Sequence, residues 1–282
     1  MRFGSQTIPQ FLRLLTGTRM RPLAGLFAVT ALLVSFTAVP ITAQALVDPL
    51  AYQPELDDGP LGPGRQAYRE RRDPARALES YELFKAVVAE NPDDPVALWH
   101  LAMSCYYLGQ RVYRTSDDRR RIFEEGHKLA ESAAERAPDC APCHMLAGVN
   151  QALWGQEVGI FRVISGLPRV KRHLQVSTEL DPTFAGASAL RVRSQIARVL
   201  PRWLGGGKKR ARSYLYRAIE IAPNEPLNYY FLAKLLLKDY GDRDGALQIA
   251  RKGLSVPPPG PEFVESVDSM GRLRSFVTQN EK

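Results

Sequence analysis

Apolar and polar positions recur along the chain in blocks, and each block ends at a proline. The phrases AENPDDP at 89–95, ERAPDCAP at 135–142, ELDPTFA at 179–185 and EIAPNEP at 220–226 share one arrangement. In each phrase a proline follows a helix-like segment, and a new apolar run begins a few residues later. A proline in this place indicates that one helix ends and the next begins. We therefore predict pairs of helices joined by short turns.

The residues before each proline share one helix face. Small or apolar side chains lie twelve, eight and five positions upstream, as Ala211, Leu215 and Ala218 do before Pro223. Spacings of four and three place such side chains on the same face of a helix. Apolar and small residues return at helical spacing after each proline. A hairpin of this kind cannot cover its own apolar face, so it must stack on neighbouring hairpins.

This pattern resembles the tetratricopeptide repeat (TPR) over about residues 75 to 257, and the unit at 208–237 fits best. The resemblance implies an all-α fold, a right-handed superhelical stack of TPR-like helical hairpins. The intervals between successive prolines, from Pro92 to Pro257, are 46, 44, 41 and 34 residues. Only the last interval equals the usual repeat length. We therefore expect extended or inserted helices in the earlier hairpins.

The chain is more similar to one branch of the TPR superfamily than to the general repeat. The segment that begins with WGQEVGIF, followed by LPRWLGGGKKRA at 200–211, is similar to the periplasmic T component associated with some tripartite (TRAP) solute transporters. This resemblance implies an all-helical protein that forms homo-oligomers and contacts a solute-binding protein. The alternative is a repeat protein with a different partner.

The first 45 residues have the outline of a signal peptide. They contain four arginines, no Asp or Glu, and an uncharged run from Leu23 to Val39. We predict cleavage after Ala45 and export to the periplasm. The alternative is an N-terminal transmembrane anchor, because 17 uncharged residues lie near the lower limit for a membrane-spanning helix. Without the four leader arginines, 34 basic residues face 30 acidic ones, so no nucleic-acid partner is predicted.

The remaining chain divides into three predicted segments. Residues 46–66 are rich in Pro and Gly and are predicted to form a flexible linker. Residues 67–260 carry the helical repeats. In 261–282, apolar residues at near-helical spacing alternate with charged ones, which is typical of a C-terminal capping helix.

The stretch DCAPCH at 139–144 is the strongest chemical motif in the chain. Export places Cys140 and Cys143 in an oxidising compartment, which favours a disulfide between them. The same residues with His144 match a c-type haem attachment motif, so a periplasmic redox or haem protein is the alternative. However, Ala147 and Gly148 fall where hairpins approach closely, and this leaves little room for haem. We expect no cofactor, with haem c as the alternative, and we interpret Cys105 as a buried apolar residue.

No catalytic or metal-binding constellation emerges from the sequence. The histidines are scattered, without the three or four convergent ligands that a metal site needs. The run Gly205 to Lys208 lacks the upstream Gly and the following Ser or Thr of a phosphate-binding loop. We therefore predict a protein that is not an enzyme.

The TPR resemblance implies a partner-binding groove along the first helices of the hairpins. Carried onto this chain, its candidate residues are Trp99, Met103, Tyr106, Met145, Arg193, Tyr230 and Lys234. Such a surface suits a peptide or an amphipathic helix that carries an acidic group. The alternative is that the surface is covered by the 151–172 segment or by another subunit.

The intact mass of the protein from the exported fraction of its own host tests the predicted processing. We expect a chain that begins at Leu46 and gains two hydrogens on reduction, because Cys140 and Cys143 are predicted to be bridged. An added haem mass that survives denaturation would instead establish the electron-transfer alternative.

Overall fold

The computed structural model describes residues 54–281, all of which belong to one compact unit. Among these residues the regular elements are helical, without a strand. The α-helices are α1 (Gly62–Arg69), α2 (Pro74–Glu90), α3 (Pro95–Tyr107), α4 (Ser116–Arg136), α5 (Ala141–Val158), α6 (Ile160–Leu180), α7 (Phe184–Val199), α8 (Lys208–Ile221), α9 (Pro226–Leu235), α10 (Arg243–Leu254) and α11 (Val264–Asn280). Consecutive helices from α1 to α10 pair as hairpins, and α11 packs against α9 and α10. The predicted all-α stack of helical hairpins is confirmed.

The helix starts follow from the capping chemistry of the turns. Asp94 lies before α3, and its carboxylate accepts a hydrogen bond from the Val96 backbone N–H at 2.9 Å. Pro95 occupies the first helical position, where a missing N–H costs nothing. Glu225 and Pro226 repeat this arrangement at the start of α9. A side-chain cap followed by proline therefore ends one hairpin and begins the next.

The long early repeats arise from long second helices. Helices α4 and α6 have 21 residues each, whereas α8 has 14 and α10 has 12. The third repeat is lengthened instead by the loop between α7 and α8, which contains a short 3-10 helix at Arg202–Leu204. The decreasing intervals between prolines thus reflect helix extension first and a loop insertion later.

Small residues let the helices approach closely at their crossings. A Cβ atom on Gly126 would lie 2.8 Å from the Cβ of Cys105 and 2.9 Å from the Cγ of Asn150. Cys105 itself is fully buried with a free thiol, as its interpretation as an apolar residue requires. The Asn150 amide donates to the carbonyl oxygens of Ala102 at 3.2 Å and of Leu146 at 3.1 Å. This crossing therefore joins α3, α4 and α5 by both packing and hydrogen bonding.

The helical part begins earlier than the predicted boundary at residue 67. A 3-10 helix forms at Pro54–Asp58, and α1 begins within the segment predicted to be a flexible linker. Asp57 binds Arg65 and Arg69, each at 2.6 Å. Arg65 is fully buried, and its Nη1 atom donates to Nε2 of His100 at 2.8 Å. These contacts attach the segment to α3, and composition alone does not reveal them.

The predicted signal peptide at 1–45, its alternative as a membrane anchor, and the first part of the linker lie outside the described residues. Within residues 54–281, no helix is both long enough and apolar enough to span a bilayer.

Two glycine substitutions test whether crossing distance determines stability. We expect Gly126→Ala to lower the free energy of unfolding by about 1–2 kcal/mol, because the cost of overpacking exceeds the gain in helix propensity. Gly271→Ala on α11 is the matched control, since a Cβ there meets no atom within 4 Å. It should raise stability by about 0.5–1 kcal/mol. Urea unfolding of both variants measures the difference, and equal midpoints would contradict the packing argument.

Candidate binding groove

Two adjoining cavities lie between the first helices of the hairpins and α11. Their volumes are about 110 Å³ and about 290 Å³. The residues common to both linings are Tyr106, Met145, Ser188, Arg191, Leu227 and Glu265. Because the two spaces share these walls, they form one groove, which we call the inner groove. Its walls come from α3, α5, α7, α9 and α11.

The narrow end of the inner groove lies where the first and last helices meet. Arg71, which follows α1, contacts Glu265 of α11 with a distance of 2.7 Å between Nη2 and Oε2. Its Nη1 atom donates to the carbonyl oxygens of Tyr68 at 3.0 Å and Glu262 at 3.1 Å. The guanidinium also lies 4.3 Å from the centre of the Tyr68 ring. Arg71 therefore connects two distant parts of the chain, because it is separated by 191 residues from Glu262 and by 194 residues from Glu265.

A left-handed turn shapes the wall of the groove at the start of α7. Ala185, Gly186 and Ala187 have φ values of 48°, 64° and 61°. Two of these residues are alanines, for which this conformation is strained. A Cβ on Gly186 would approach Oε2 of Glu225 to 2.8 Å, so this position requires glycine. The turn directs two carbonyl oxygens, from Ala185 and Gly186, toward the guanidinium of Arg191.

Opposite charges are buried beside this turn. Glu225 is 5% exposed, and its carboxylate accepts hydrogen bonds from the Ser266 hydroxyl and the Leu227 N–H. Burial raises the pKa of Glu225, and the charge of Arg191 opposes this shift only in part. Burial likewise lowers the pKa of Arg191, which donates to the Asn228 side chain at 3.0 Å. Both groups are therefore held by neighbours on three helices, α7, α9 and α11.

The other end of the inner groove is wide and positively charged. It is lined by Gln110, Gln195 and Phe231, with Arg272 at its edge. The Arg272 guanidinium lies 5.8 Å from the ring centre of Tyr230, and the Lys234 ammonium lies 5.9 Å from the same ring. Burial lowers the pKa of Lys234, and the charges of Lys238, Arg198 and Arg272 lower it further. This end therefore favours an anionic group.

The structure brings together some of the predicted groove residues and separates others. Met103, Tyr106 and Met145 line the inner groove. Tyr230 and Lys234 lie beside Arg272 at its positive end, outside the lining itself. Trp99 is 1% exposed, and its ring centre lies 3.6 Å from that of His100, so it packs inside the stack. The binding role of these residues stays a prediction.

Arg193 does not face the inner groove. Its Nη2 atom donates to the Tyr214 hydroxyl at 3.2 Å, and it lines a separate cavity with Lys171 and Gly205. Arg191 faces the groove in its place, because two residues along a helix are separated by about 200° of rotation. The repeat alignment therefore predicted the groove-facing arginine two residues too far along the chain. Glu225, Glu265 and Arg71 were also missed, since their contacts depend on distant parts of the chain.

The DCAPCH motif lies at the start of α5. The Sγ atoms of Cys140 and Cys143 are 1.93 Å apart, and Cys140 also caps the helix by accepting the Cys143 N–H at 3.2 Å. His144 donates from Nε2 to the Pro138 carbonyl at 3.0 Å. Its Nδ1 therefore accepts from Nδ1 of His173 at 2.9 Å. Both ring nitrogens of His144 have partners, and a haem iron would have to replace one of them. The disulfide, haem and redox alternatives stay predictions.

Neither a metal site nor a phosphate loop forms in the described part of the chain. No group of three or more His, Cys, Asp or Glu side chains is arranged around a common point between residues 54 and 281. In the Gly205–Lys208 run, the Gly206 N–H donates to Pro201 at 3.0 Å and the Gly207 N–H to Ala197 at 2.7 Å. These two N–H groups are thus engaged with carbonyl oxygens of the loop and of the last turns of α7.

Comparison with known proteins supports the fold and gives one partial family match. A family model described as regulator of microtubule dynamics protein 1-3 matches residues 65–191, which is less than half of the chain. This region contains Arg71, Met103, Tyr106, Met145 and Arg191, so most of the inner groove lies within it. No curated protein matches the sequence.

One solved structure is similar to this chain in fold, and two others match it with lower TM-scores. A TPR protein from Thermus thermophilus, TTC0263, has a TM-score of 0.59 and 21% identity, over 79% of this chain and 99% of its own. MamA has a TM-score of 0.43 and 13% identity, over 72% of this chain and 95% of its own. Yeast Tom70 has a TM-score of 0.31 and 13% identity, over 70% of this chain and 43% of its own. The first of these structures shows that the chain has a TPR-like fold.

The histidine pair predicts a pH dependence of stability. His144 donates from Nε2 to the Pro138 carbonyl, so a second proton on its ring would have to bind Nδ1. The N–H of His173 already points at that nitrogen. Burial lowers the pKa of His144, and it lowers that of His173 to about 4, with the charge of His144 as the second cause. Between pH 6.5 and about 4 these two histidines therefore bind more protons in the unfolded chain, so the contribution of the pair to stability rises with pH in this window.

The variant His173→Gln keeps a donor but does not titrate, and it should reduce this slope. Gln175→Ala, at an exposed position on the same helix, is the control. Urea unfolding at several pH values measures the slope, and an unchanged slope in His173→Gln would show that the pair does not titrate on unfolding.

Proposed function

We propose that the protein is a non-enzymatic, TPR-like scaffold that binds an acidic polypeptide segment of another protein in the inner groove. The observation that carries this proposal is the combination of an apolar floor and a positive edge. Met103, Tyr106 and Met145 supply apolar and aromatic surface, and Arg272 and Lys234 supply charge. A peptide helix with one apolar and one acidic face matches this arrangement.

Access to the groove supports the proposal. The wide end is lined by half-exposed side chains, among them Gln195 and Phe231, whereas the narrow end is lined by the buried Arg71. Arg272 is exposed and makes no ion pair with any other described residue. A partner carboxylate can therefore contact Arg272 without first displacing an internal one. We propose that the partner enters at this end.

The cellular setting of this scaffold is proposed from the sequence. Residues 1–45 suggest export, and we propose that the protein acts in the periplasm, with an N-terminal anchor as the alternative. The finer predictions of a TRAP-transporter role, a solute-binding protein as partner and a homo-oligomer rest on the T-component resemblance alone. The comparisons with known proteins give that resemblance no support.

Site-specific photo-crosslinking in the native host tests the groove as the binding surface. A photoreactive residue at Gln195 should give a covalent adduct with one partner, because Gln195 lines the wide end. The same photoreactive residue at Tyr216, which is exposed on α8 and is not part of the groove lining, is the matched control. Arg272→Glu should lower the adduct yield on the order of fivefold by reversing one exposed charge. Equal yields at both positions, or no effect of Arg272→Glu, would exclude the proposed groove.

A further inference from the structure

The end of α7 and the loop that follows it expose two apolar side chains to solvent. Val199 is 79% exposed and Trp203 is 78% exposed. The other two tryptophans of the chain, Trp99 and Trp154, are buried and half-buried in the helical stack. A single exposed apolar residue does not by itself indicate a contact surface. An exposed indole indicates one when its charged neighbours all have the same sign.

The backbone of this loop is fixed by its own hydrogen bonds. The N–H groups of Gly206 and Gly207 bind the carbonyl oxygens of Pro201 and Ala197. A Cβ on Gly206 would lie 2.0 Å from the carbonyl oxygen of Leu200, so only glycine allows this approach. The 3-10 helix at Arg202–Leu204 then places Trp203 on the outside. The conformation of the turn therefore exposes Trp203.

The surroundings of Trp203 carry unneutralised positive charge. From Pro182 to Ile219 the chain contains nine Lys and Arg residues and no Asp or Glu. Arg202, Lys209 and Arg210 are exposed and form no ion pair with any other described residue. The nearby carboxylate of Asp239 is bound by Arg198.

These cations and Trp203 belong to one surface. Arg210 donates to the Gly205 carbonyl at 2.7 Å, and the Arg202 side chain lies against Gly207. Lys208 donates to the Asp239 carbonyl at 3.0 Å, which fixes the start of α8 beside the loop. We call Val199, Arg202, Trp203, Lys209 and Arg210 the loop surface.

We propose that the loop surface docks on an anionic phospholipid bilayer. Trp is favoured at the level of the lipid headgroups, where its ring contacts apolar chains and its N–H stays in a polar layer. Lys and Arg near the same plane are attracted by the negative lipid charge. Val199 would enter the interface beside Trp203. This surface is independent of the inner groove, so a partner and a membrane can be bound together.

Charge distinguishes this occupant from the other candidates. A symmetric contact between two copies would place Arg202, Lys209 and Arg210 against the same cations. A nucleic acid would satisfy these charges but would gain little from an exposed Val199. An anionic bilayer satisfies both the charges and the apolar side chains.

Quenching of tryptophan fluorescence by brominated lipid tests the proposal on the protein purified from its own host. The apolar run from Leu23 to Val39 contains no tryptophan, so insertion of a retained leader places no additional indole in the bilayer. Vesicles of phosphatidylglycerol with brominated phosphatidylcholine should quench part of the emission, whereas brominated phosphatidylcholine alone should not. Trp203→Phe should abolish this quenching, because Trp99 and Trp154 remain within the stack.

Charge variants provide the second arm of the test. The double variant Arg202→Gln, Lys209→Gln removes two positive charges. It should weaken Trp203 insertion about 25-fold, or about fivefold for each cation. The control removes the same charge elsewhere, with Lys252→Gln and Arg274→Gln at exposed positions on α10 and α11. It should leave the quenching unchanged.

Three outcomes would overturn the proposal. The first is Trp203 emission that anionic vesicles do not quench. The second is protection of Trp203 by a duplex oligonucleotide that also prevents vesicle binding, which would assign the loop surface to nucleic acid. The third is a dimer in sedimentation that Trp203→Ala dissociates, which would assign the surface to a second copy of the chain.

Discussion

Every helical hairpin of this protein has an apolar face that water destabilises until a neighbouring hairpin covers it. The stack from α1 to α10 satisfies this constraint, and its crossings are close because Gly126, Cys105 and similar small residues occupy them. The inner groove follows from the same geometry. First helices that lie side by side leave a surface that their own second helices do not cover, and this surface is where Met103, Tyr106 and Met145 meet.

Helix α11 converts the last hairpin into a stable end and also forms one wall of the groove. Its buried Leu273 and Met270 cover α9 and α10, as expected of a capping helix. Its first turn contacts Arg71 through Glu265 and Glu225 through Ser266. The same helix therefore connects the C-terminal hairpin with the N-terminal one. The groove is narrow at the end near Arg71 and wider at the end near Arg272.

The proposed binding surfaces differ in how the chain exposes them. The inner groove has buried opposite charges at its narrow end and, at its wide end, cations without an ion pair among the described residues, so its polarity varies along its length. The loop surface is uniformly positive and displays Trp203 on a turn fixed by Gly206. A scaffold with two such surfaces can hold an acidic polypeptide close to an anionic membrane. Neither surface depends on the DCAPCH motif, whose contacts with His173 stabilise the start of α5.

The sequence by itself determined the helical hairpins and their boundaries. A proline after a helix-like segment acts within a few residues, so Pro92, Pro138, Pro182 and Pro223 mark the turns wherever the chain packs. Periodic small residues likewise predicted close crossings and a buried Cys105. The repeat pattern also placed Met103, Tyr106 and Met145 on the concave side, because those positions depend on helix register and not on distant contacts.

Only the tertiary structure decided which charges meet. Arg71 contacts Glu265 across a separation of 194 residues, and no local pattern encodes that contact. The carbonyl oxygens of Ala185 and Gly186 in the left-handed turn accept hydrogen bonds from Arg191, and no local signal in the sequence indicates that Arg191 and not Arg193 faces the groove. The segment before residue 67 is helical because Asp57 binds the buried Arg65, although its Pro- and Gly-rich composition predicts a linker. Local propensity sets the elements, and contacts between distant residues set the site.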